Sequence, residues 1–264
     1  MTKNAVVTWA SGENFCRSAG FRSYIGSLCN VKDADFFVFT SDMPEDVRVS
    51  LRKQRISIVD YPGDQVRYIL RDRHLAYTDW LNKKAEDYHL FLFTDSKDVI
   101  FQTNPFDHWN KKPMMLVCEG MEHKQSLWNL NDQAQTQLDV REFRYPIQDR
   151  PVLNGGVIMG KGSCLKYHFF IIWSNTLKSI GPCTDQGVLN FLYNWLERGP
   201  DYSYTDPRKD NFCLTGEAVK EGWVQVLFED GLYKNLNGET FSIIHQYDRL
   251  PQSPTVMERY TNGT

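Results

Sequence analysis

The run Phe93-Thr94-Asp95-Ser96-Lys97-Asp98-Val99-Ile100-Phe101 joins an apolar stretch to two aspartates three positions apart, and apolar residues resume at once. A buried strand ending in carboxylates presents them at the crevice where open α/β sheets bind ligands. Two hard oxygen donors there suit a divalent cation, Mg²⁺ or Mn²⁺, bridging to a diphosphate. The plainer reading makes Asp95 a turn cap and Asp98 the partner of Lys97 or a neighbouring base.

Three further segments carry candidate chemistry. Asn154-Gly155-Gly156, against the apolar run Val157-Ile158-Met159, offers two glycines that let a backbone approach a ligand and an amide that can bond a sugar hydroxyl. A plain β-turn accounts for it too. Gly155 to Ser163 brushes against the P-loop pattern but fails it, because Gly162 follows Lys161 where Ser or Thr is needed. Thr184-Asp185-Gln186 reads as a helix start, with Thr184 as N-cap and Asp185 in the first turn. That leaves the second polar side chain, Gln186, unexplained. His245 ends an apolar strand, where most histidines are hydrogen-bonded core residues. No paired histidine spacing, G-x-S-x-G elbow or G-x-G-x-x-G after the first strand occurs. A self-contained zinc site, an α/β-hydrolase and a dinucleotide dehydrogenase are therefore disfavoured.

The elements that must position these residues alternate. Strand signals fall at Ala5–Trp9, Asp35–Thr40, Ile56–Val59 and His89–Phe93. Helical spacing lies between them, over Arg17–Leu28, from Asp42 and Pro44 through Leu51, and over Val66–Lys84. This rhythm predicts a mostly parallel sheet with helices on both faces. Further strands fit Met114–Val117, Leu153–Met159, Trp223–Phe228 and Thr240–Ile244, the last two separated by an Asn237-Gly238 turn. Helices fit Leu165–Leu177 and Asp185–Leu196. Between Glu119 and Arg150 an amide-rich stretch (Gln125, Asn129, Asn131, Gln133, Gln135, Gln137), with Trp128, Leu130 and Phe143 interspersed, reads as an exposed loop with a short helix. The chain divides into one domain over 1–250 and a loose polar tail over 251–264.

Composition narrows the class. The 264 residues carry 30 Lys+Arg against 33 Asp+Glu, so binding to nucleic-acid phosphates is not expected. No window approaches the ~20 apolar residues of a membrane helix. The short apolar run at the N-terminus reads as a strand, not a secretion signal, so a cytoplasmic protein or a trimmed soluble catalytic domain is expected. The six scattered cysteines read as buried free thiols.

Taken in order, the first strand, the acidic pair after the fourth strand, the Asn-Gly-Gly strand, the Asp-Gln helix start and the late histidine resemble the nucleotide-diphospho-sugar glycosyltransferases of the GT-A fold. The resemblance runs from about Ala5 to Asp248. Within that fold it is nearest the metal-dependent glycogenin and lipopolysaccharide galactosyltransferase type, which carries Asp-x-Asp, Asn-Ala-Gly, Asp-Gln and a C-terminal metal-binding His. The resemblance implies an α/β, single-domain Rossmann-like architecture. It implies metal ligation by Asp95, Asp98 and His245, although the spacing here is D-x-x-D. Asn154, Gly155 and Gly156 match the Asn-Ala-Gly strand, with Gly in place of Ala. Thr8 and Trp9 fall where this fold holds the nucleotide, and Arg73 where a basic residue reaches the donor; Lys97 is a second base able to offset charge on the leaving diphosphate. Asp185 and Gln186 match the pair beside the anomeric carbon, as catalytic residues. A Mn²⁺ or Mg²⁺ cofactor, a nucleotide-sugar donor (a UDP-sugar foremost), a glycan or glycolipid acceptor and retention of configuration follow as expectations.

Two other classes compete. A sugar-phosphate nucleotidyltransferase uses a related sheet, but its usual basic glycine-rich loop after the first strand is replaced here by Ala10-Ser11-Gly12-Glu13. A non-catalytic carbohydrate-binding module would be a β-sandwich, against the alternating pattern.

Overall fold

The computed structural model of the chain describes residues 3–63, 68–126, 128–129, 149–177, 184–195 and 201–261. Its first half alternates strands Asn4–Trp9 (β1), Ala34–Thr40 (β2), Ile56–Asp60 (β3) and Phe91–Thr94 (β4) with helices Glu13–Cys16 (α1), Ala19–Ser27 (α2), Glu45–Lys53 (α3) and Ile69–Lys84 (α4). The second half contributes strands Val99–Phe101 (β5), Met114–Glu122 (β6), Pro151–Gly160 (β7), Tyr202–Thr205 (β8), Cys213–Thr215 (β9), Leu227–Glu229 (β10), Leu232–Lys234 (β11) and Ile243–His245 (β12). Its helices are Gly162–Thr176 (α5), Asp185–Asn190 (α6), Gly216–Lys220 (α7) and Ser253–Thr261 (α8).

Among the described residues the main sheet has the order β3-β2-β1-β4-β7-β6-β8. β3, β2, β1 and β4 are parallel, β7 runs against both its neighbours, and β6 and β8 are parallel. The period of two along β1 divides its side chains between two cores. Val6 packs with Phe21, Tyr24, Ile25 and Leu51 from α2 and α3, whereas Ala5, Val7 and Trp9 pack with residues of α4 and α5 such as Tyr77, Leu81 and Phe169. Burial on both faces is why these strands read as continuous apolar runs. Glu45 and Asp46 in the first turn of α3, and Arg52 and Lys53 in its last, complement the helix dipole.

A second, small sheet has the order β5-β12-β9 and places His245 opposite Val99 and beside Thr215. The segment from Asp95 to Asp98 is thus the crossing from the main sheet to the small one.

Several sequence expectations are corrected. The helix read over Arg17–Leu28 starts at Ala19, because the Ser18 hydroxyl caps it by accepting from Phe21 N. The strand read at Trp223–Phe228 forms only from Leu227, and it turns back at Asp230 and Gly231 (φ 54° and 75°), the left-handed pair that a two-residue hairpin requires. The tail is not loose: Ser253–Thr261 is helical, with Val256 and Tyr260 buried in a third core. Cys16, Cys118 and Cys213 are free and buried, whereas Cys29 is exposed and Cys164 half-buried. Val66, Leu130, Asn131, Gln133, Gln135, Gln137, Phe143, Cys183 and Leu196 lie outside the described residues.

Candidate active site

The loop after β4 is fixed from both sides. Asp95 N donates to Gly156 O at 2.8 Å, the buried Ser96 hydroxyl donates to Trp9 O at 2.7 Å, and Tyr247 N donates to Asp98 O at 3.3 Å. Pinned this way, both carboxylates turn toward the His245 ring. Nε2 of His245 lies 3.6 Å from Asp95 Oδ2 and 3.8 Å from Asp98 Oδ1, and one donor atom from each of the three falls within 4.8 Å of the others. A Cβ on Gly156 would stand 2.5 Å from His245 Cε1 and 2.7 Å from Asp95 Oδ2, so only glycine leaves this cradle open.

The electrostatics are those of acids gathered for a cation. Burial raises the Asp98 carboxyl, opposed by His245 and reinforced by the neighbouring Asp95. Burial would also raise Asp95, but Arg73 and His245 outweigh it and hold that carboxyl well below the usual range. For His245, burial pulls downward while Asp98 and Asp95 win and raise it. The donor set of two carboxylates and an imidazole fits Mn²⁺ or Mg²⁺.

Arg73, on α4, connects these acids to a second group. Its Nη1 donates to Asp95 Oδ1 at 2.7 Å and its Nη2 donates to Asp185 Oδ2, which the His74 Nε2 also reaches at 2.9 Å. Burial pushes Asp185 up, but Arg73 and His74 prevail, and its carboxyl lies below the ordinary value. Asp185 opens α6 under the Thr184 cap, whose hydroxyl accepts from Gly187 N at 3.2 Å, as its sequence position predicts. The sequence gives no periodic or spacing signal for His74. Its adjacency to Arg73 is the only pointer.

β6 and β7 bulge against each other at the site. Leu116 pairs with Ile158 but Val117 with Asn154, and Cys118 pairs with Leu153 but Glu122 with Pro151. Within this one ladder, Gly155, Gly156 and Val157 of β7 are therefore unpaired at the first shift, and Glu119, Gly120 and Met121 of β6 at the second. Bulges of this kind re-aim side chains at the end of a sheet. Here they bring Glu119 Oε1 to Asn154 Nδ2 (2.8 Å) and Gln186 Nε2 (3.2 Å), and Gln186 Oε1 to Gly155 N (3.2 Å). Gln186 Nε2 also donates to Asn129 Oδ1 at 2.9 Å. Glu119, buried, has its carboxyl raised by desolvation despite those two amide donors. An acid inside the apolar run Met114–Met121 was its sequence signal. A cavity of about 560 Å³ opens beyond Glu119 and Gln186, with Trp128, Glu217, Lys220 and Arg249 at its walls.

Not every candidate side chain reaches the site. The Thr8 hydroxyl is buried and donates to Thr94 O, and Trp9 is a core ring stacked on Phe39 with its Nε1 donating to Ser11 Oγ. Lys97 is exposed, its carbonyl against Gly20, and among the described residues it forms no ion pair with Asp98. The Asn154 amide is engaged internally, accepting from Gly156 N and donating to Glu119.

No curated protein matches the chain in sequence. Residues 87–202 match the model of the nucleotide-diphospho-sugar transferase family. That segment includes Asp95, Asp98, Asn154, Gly155, Gly156, Asp185 and Gln186, and excludes Arg73 and His245. Among solved structures, the chain is similar to a glutamine-to-glutamate active-site mutant of LgtC at 15% identity and a TM-score of 0.60. It is also similar to the galactosyltransferase LgtC in complex with donor and acceptor sugar analogs, at 14% identity and a TM-score of 0.57. Each alignment covers 98% of this chain and 94% of the other. No helix among the described residues is long and apolar enough to cross a membrane. The chain has the GT-A fold seen in LgtC, and its residues 87–202 match the model of the nucleotide-diphospho-sugar transferase family.

Proposed function

We propose that the chain transfers a sugar from a nucleotide-diphosphate donor, a UDP-sugar foremost, to a hydroxyl of a glycan or lipid-linked glycan, with a divalent cation and with retention of configuration. The observation that carries this reading is the meeting of Asp95, Asp98 and His245 from two different sheets, beside a glycine cradle and the Arg73–Asp185 pair. We assign the activity to a single cytoplasmic domain that includes the C-terminal helix α8, whose Val256 and Tyr260 belong to its third core. The neighbour solved with donor and acceptor sugar analogs supports the substrate class.

Asp95, Asp98 and His245 would hold Mn²⁺ or Mg²⁺. When bound, that ion supplies positive charge to the departing nucleoside diphosphate. The chain's own residues do the rest. Arg73 keeps Asp95 and Asp185 ionised, so that neither takes a proton at neutral pH. Asp185 and Gln186 offer a carboxylate and an amide to positive charge developing on the sugar ring. Gly155 and Gly156 let the donor approach the backbone, and Glu119 with Gln186 faces the cavity in which the acceptor is received. Retention agrees with Asp185 being fixed by Arg73 and His74, and so unavailable as a free acceptor base.

The test is incubation with a panel of nucleotide sugars, with and without Mn²⁺, followed by NMR of the anomeric centre. Cation-dependent release of nucleoside diphosphate, with the donor configuration in the product, is expected. Turnover of nucleoside triphosphate plus sugar phosphate would instead make it a nucleotidyltransferase, and an inverted linkage would remove the retaining assignment.

A further inference from the structure

We propose that Asn190 is a positioning residue for the site: its amide sets the spacing between the Asp185–Gln186 helix start and the Asn154–Gly156 bulge. This rests on the transferase reading for its kinetic consequence, though not for its structural one.

β4 pairs with β7 only over Val157–Gly160, so the β7 backbone upstream of the bulge lacks that neighbour. At Leu153 a side chain takes the strand's place. Asn190 Oδ1 accepts from Leu153 N at 2.7 Å, and Asn190 Nδ2 donates to Leu153 O at 2.7 Å. The same Nδ2 donates to Gln186 O at 2.9 Å, one turn back along α6. One amide therefore grips the residue before Asn154 and the residue that bonds Gly155 N. It is 1% exposed, so these bonds meet no competing water.

Only an amide of this length provides both the donor and the acceptor. Aspartate keeps the acceptor for Leu153 N and loses the donor, and alanine loses both. Asn194 is the natural control. It lies in the same buried network, donating to Asn190 Oδ1 at 3.0 Å and to Pro151 O at 2.8 Å, but among the described residues it hydrogen-bonds neither Leu153 nor Gln186. A network that only stabilises the fold would treat the two asparagines alike. A positioning amide would not.

The experiment compares Asn190→Ala, Asn190→Asp and Asn194→Ala well below their melting temperatures. Nucleotide-sugar hydrolysis gives kcat and KM, and amide hydrogen exchange is followed along β7. Both Asn190 variants should lower kcat by about 10²-fold, the cost of roughly an ångström of misplacement, with donor KM changed much less. Exchange should accelerate at Leu153 and Gly155 but not at Val157–Gly160. Asn194→Ala should keep kcat and the Gly155 exchange rate near those of the unaltered protein even where its melting temperature falls. If Asn190→Ala does not fold, Asn190→Asp carries the same readouts. Unchanged kcat in the folded Asn190 variants, or equal losses in Asn194→Ala, would overturn the proposal. If the unaltered protein turns over no nucleotide sugar, the transferase reading fails, and the exchange pattern alone decides the role of Asn190.

Discussion

Gly156 and His245 stand so close that a methyl group on the glycine would meet the imidazole: its Cβ would sit 2.5 Å from Cε1 and 2.8 Å from Nε2. The adjacent Gly155 has more room, with Gln186 as its nearest neighbour at 3.5 Å, ordinary van der Waals contact. The two glycines therefore predict opposite outcomes. Gly156→Ala should displace His245 or Asp95 and raise the Mn²⁺ concentration for half-saturation by about tenfold or more. Gly155→Ala should leave it nearly unchanged. A thermal-shift titration with Mn²⁺ reads both, and equal behaviour would mean that the glycine cradle does not shape a cation site.

Asp98 is an acid raised by burial and by its neighbour Asp95. Its removal should relieve the cost of burying a carboxylate in the metal-free protein, against the loss of its attraction to His245. Asp98→Ala is expected to keep or raise the melting temperature in EDTA, to abolish the Mn²⁺-induced shift, and to lower activity by about 10²-fold or more. His245→Ala should likewise raise the Mn²⁺ requirement far more than it lowers the metal-free melting temperature. Full turnover by Asp98→Ala in EDTA would end the metal reading. A His245→Ala variant with normal Mn²⁺ titration and reduced stability would make that ring a core residue.

Arg73 pairs with two acids of the site, Asp95 and Asp185. Breaking a buried pair by removing one partner costs about 3–5 kcal/mol. Arg73→Met should therefore shift urea unfolding by an amount of that order and abolish activity. Lys97→Ala, at an exposed position, should change stability by less than about 0.5 kcal/mol. Comparable unfolding midpoints for the two variants would contradict the pairing.

The halves of the site differed in how openly the sequence declared them. Asp95, Asp98 and Gly156 end or interrupt apolar strands, and a polar residue there is visible as a break in pattern. His245 shows the same break, but its meeting with Asp98 depends on β12 pairing with β5 outside the main sheet, and no local spacing encodes that. Thr8 and Trp9 end the first strand as read, yet their side chains turn into the fold: the Thr8 hydroxyl donates to Thr94 O, and the α4 aromatics claim Trp9 on the opposite face. The tail misled for a related reason. Val256 and Tyr260 are four apart on one helical face, a stripe too short to stand out against a polar background until α2 lies beneath it. The paired bulges that deliver Glu119 arise from strand register, which the residue types do not announce.

Glu119 supplies a prediction in which the sign can be worked through. Its carboxyl is raised by burial, against the opposing donors Asn154 and Gln186 and the nearby His245. The folded protein therefore holds a proton at Glu119 that the unfolded chain, with a carboxyl near 4.3, releases earlier. Between the unfolded and folded values the native state binds more protons, so stability from this group falls as pH rises through that window and stays reduced above it. Asp95 and Asp185 act in the opposite direction: their folded values are lowered, and the stability they contribute is lost as pH falls through those values. The difference between Glu119→Gln and the unaltered protein isolates the first effect, because glutamine keeps an oxygen for Asn154 and Gln186 and cannot ionise. Urea midpoints in EDTA should nearly coincide at pH 4 or below, and the variant should become the more stable protein as pH rises toward 8. A difference that does not change with pH would show that the Glu119 carboxyl titrates alike in both states, and that the double bulge does not bury its charge.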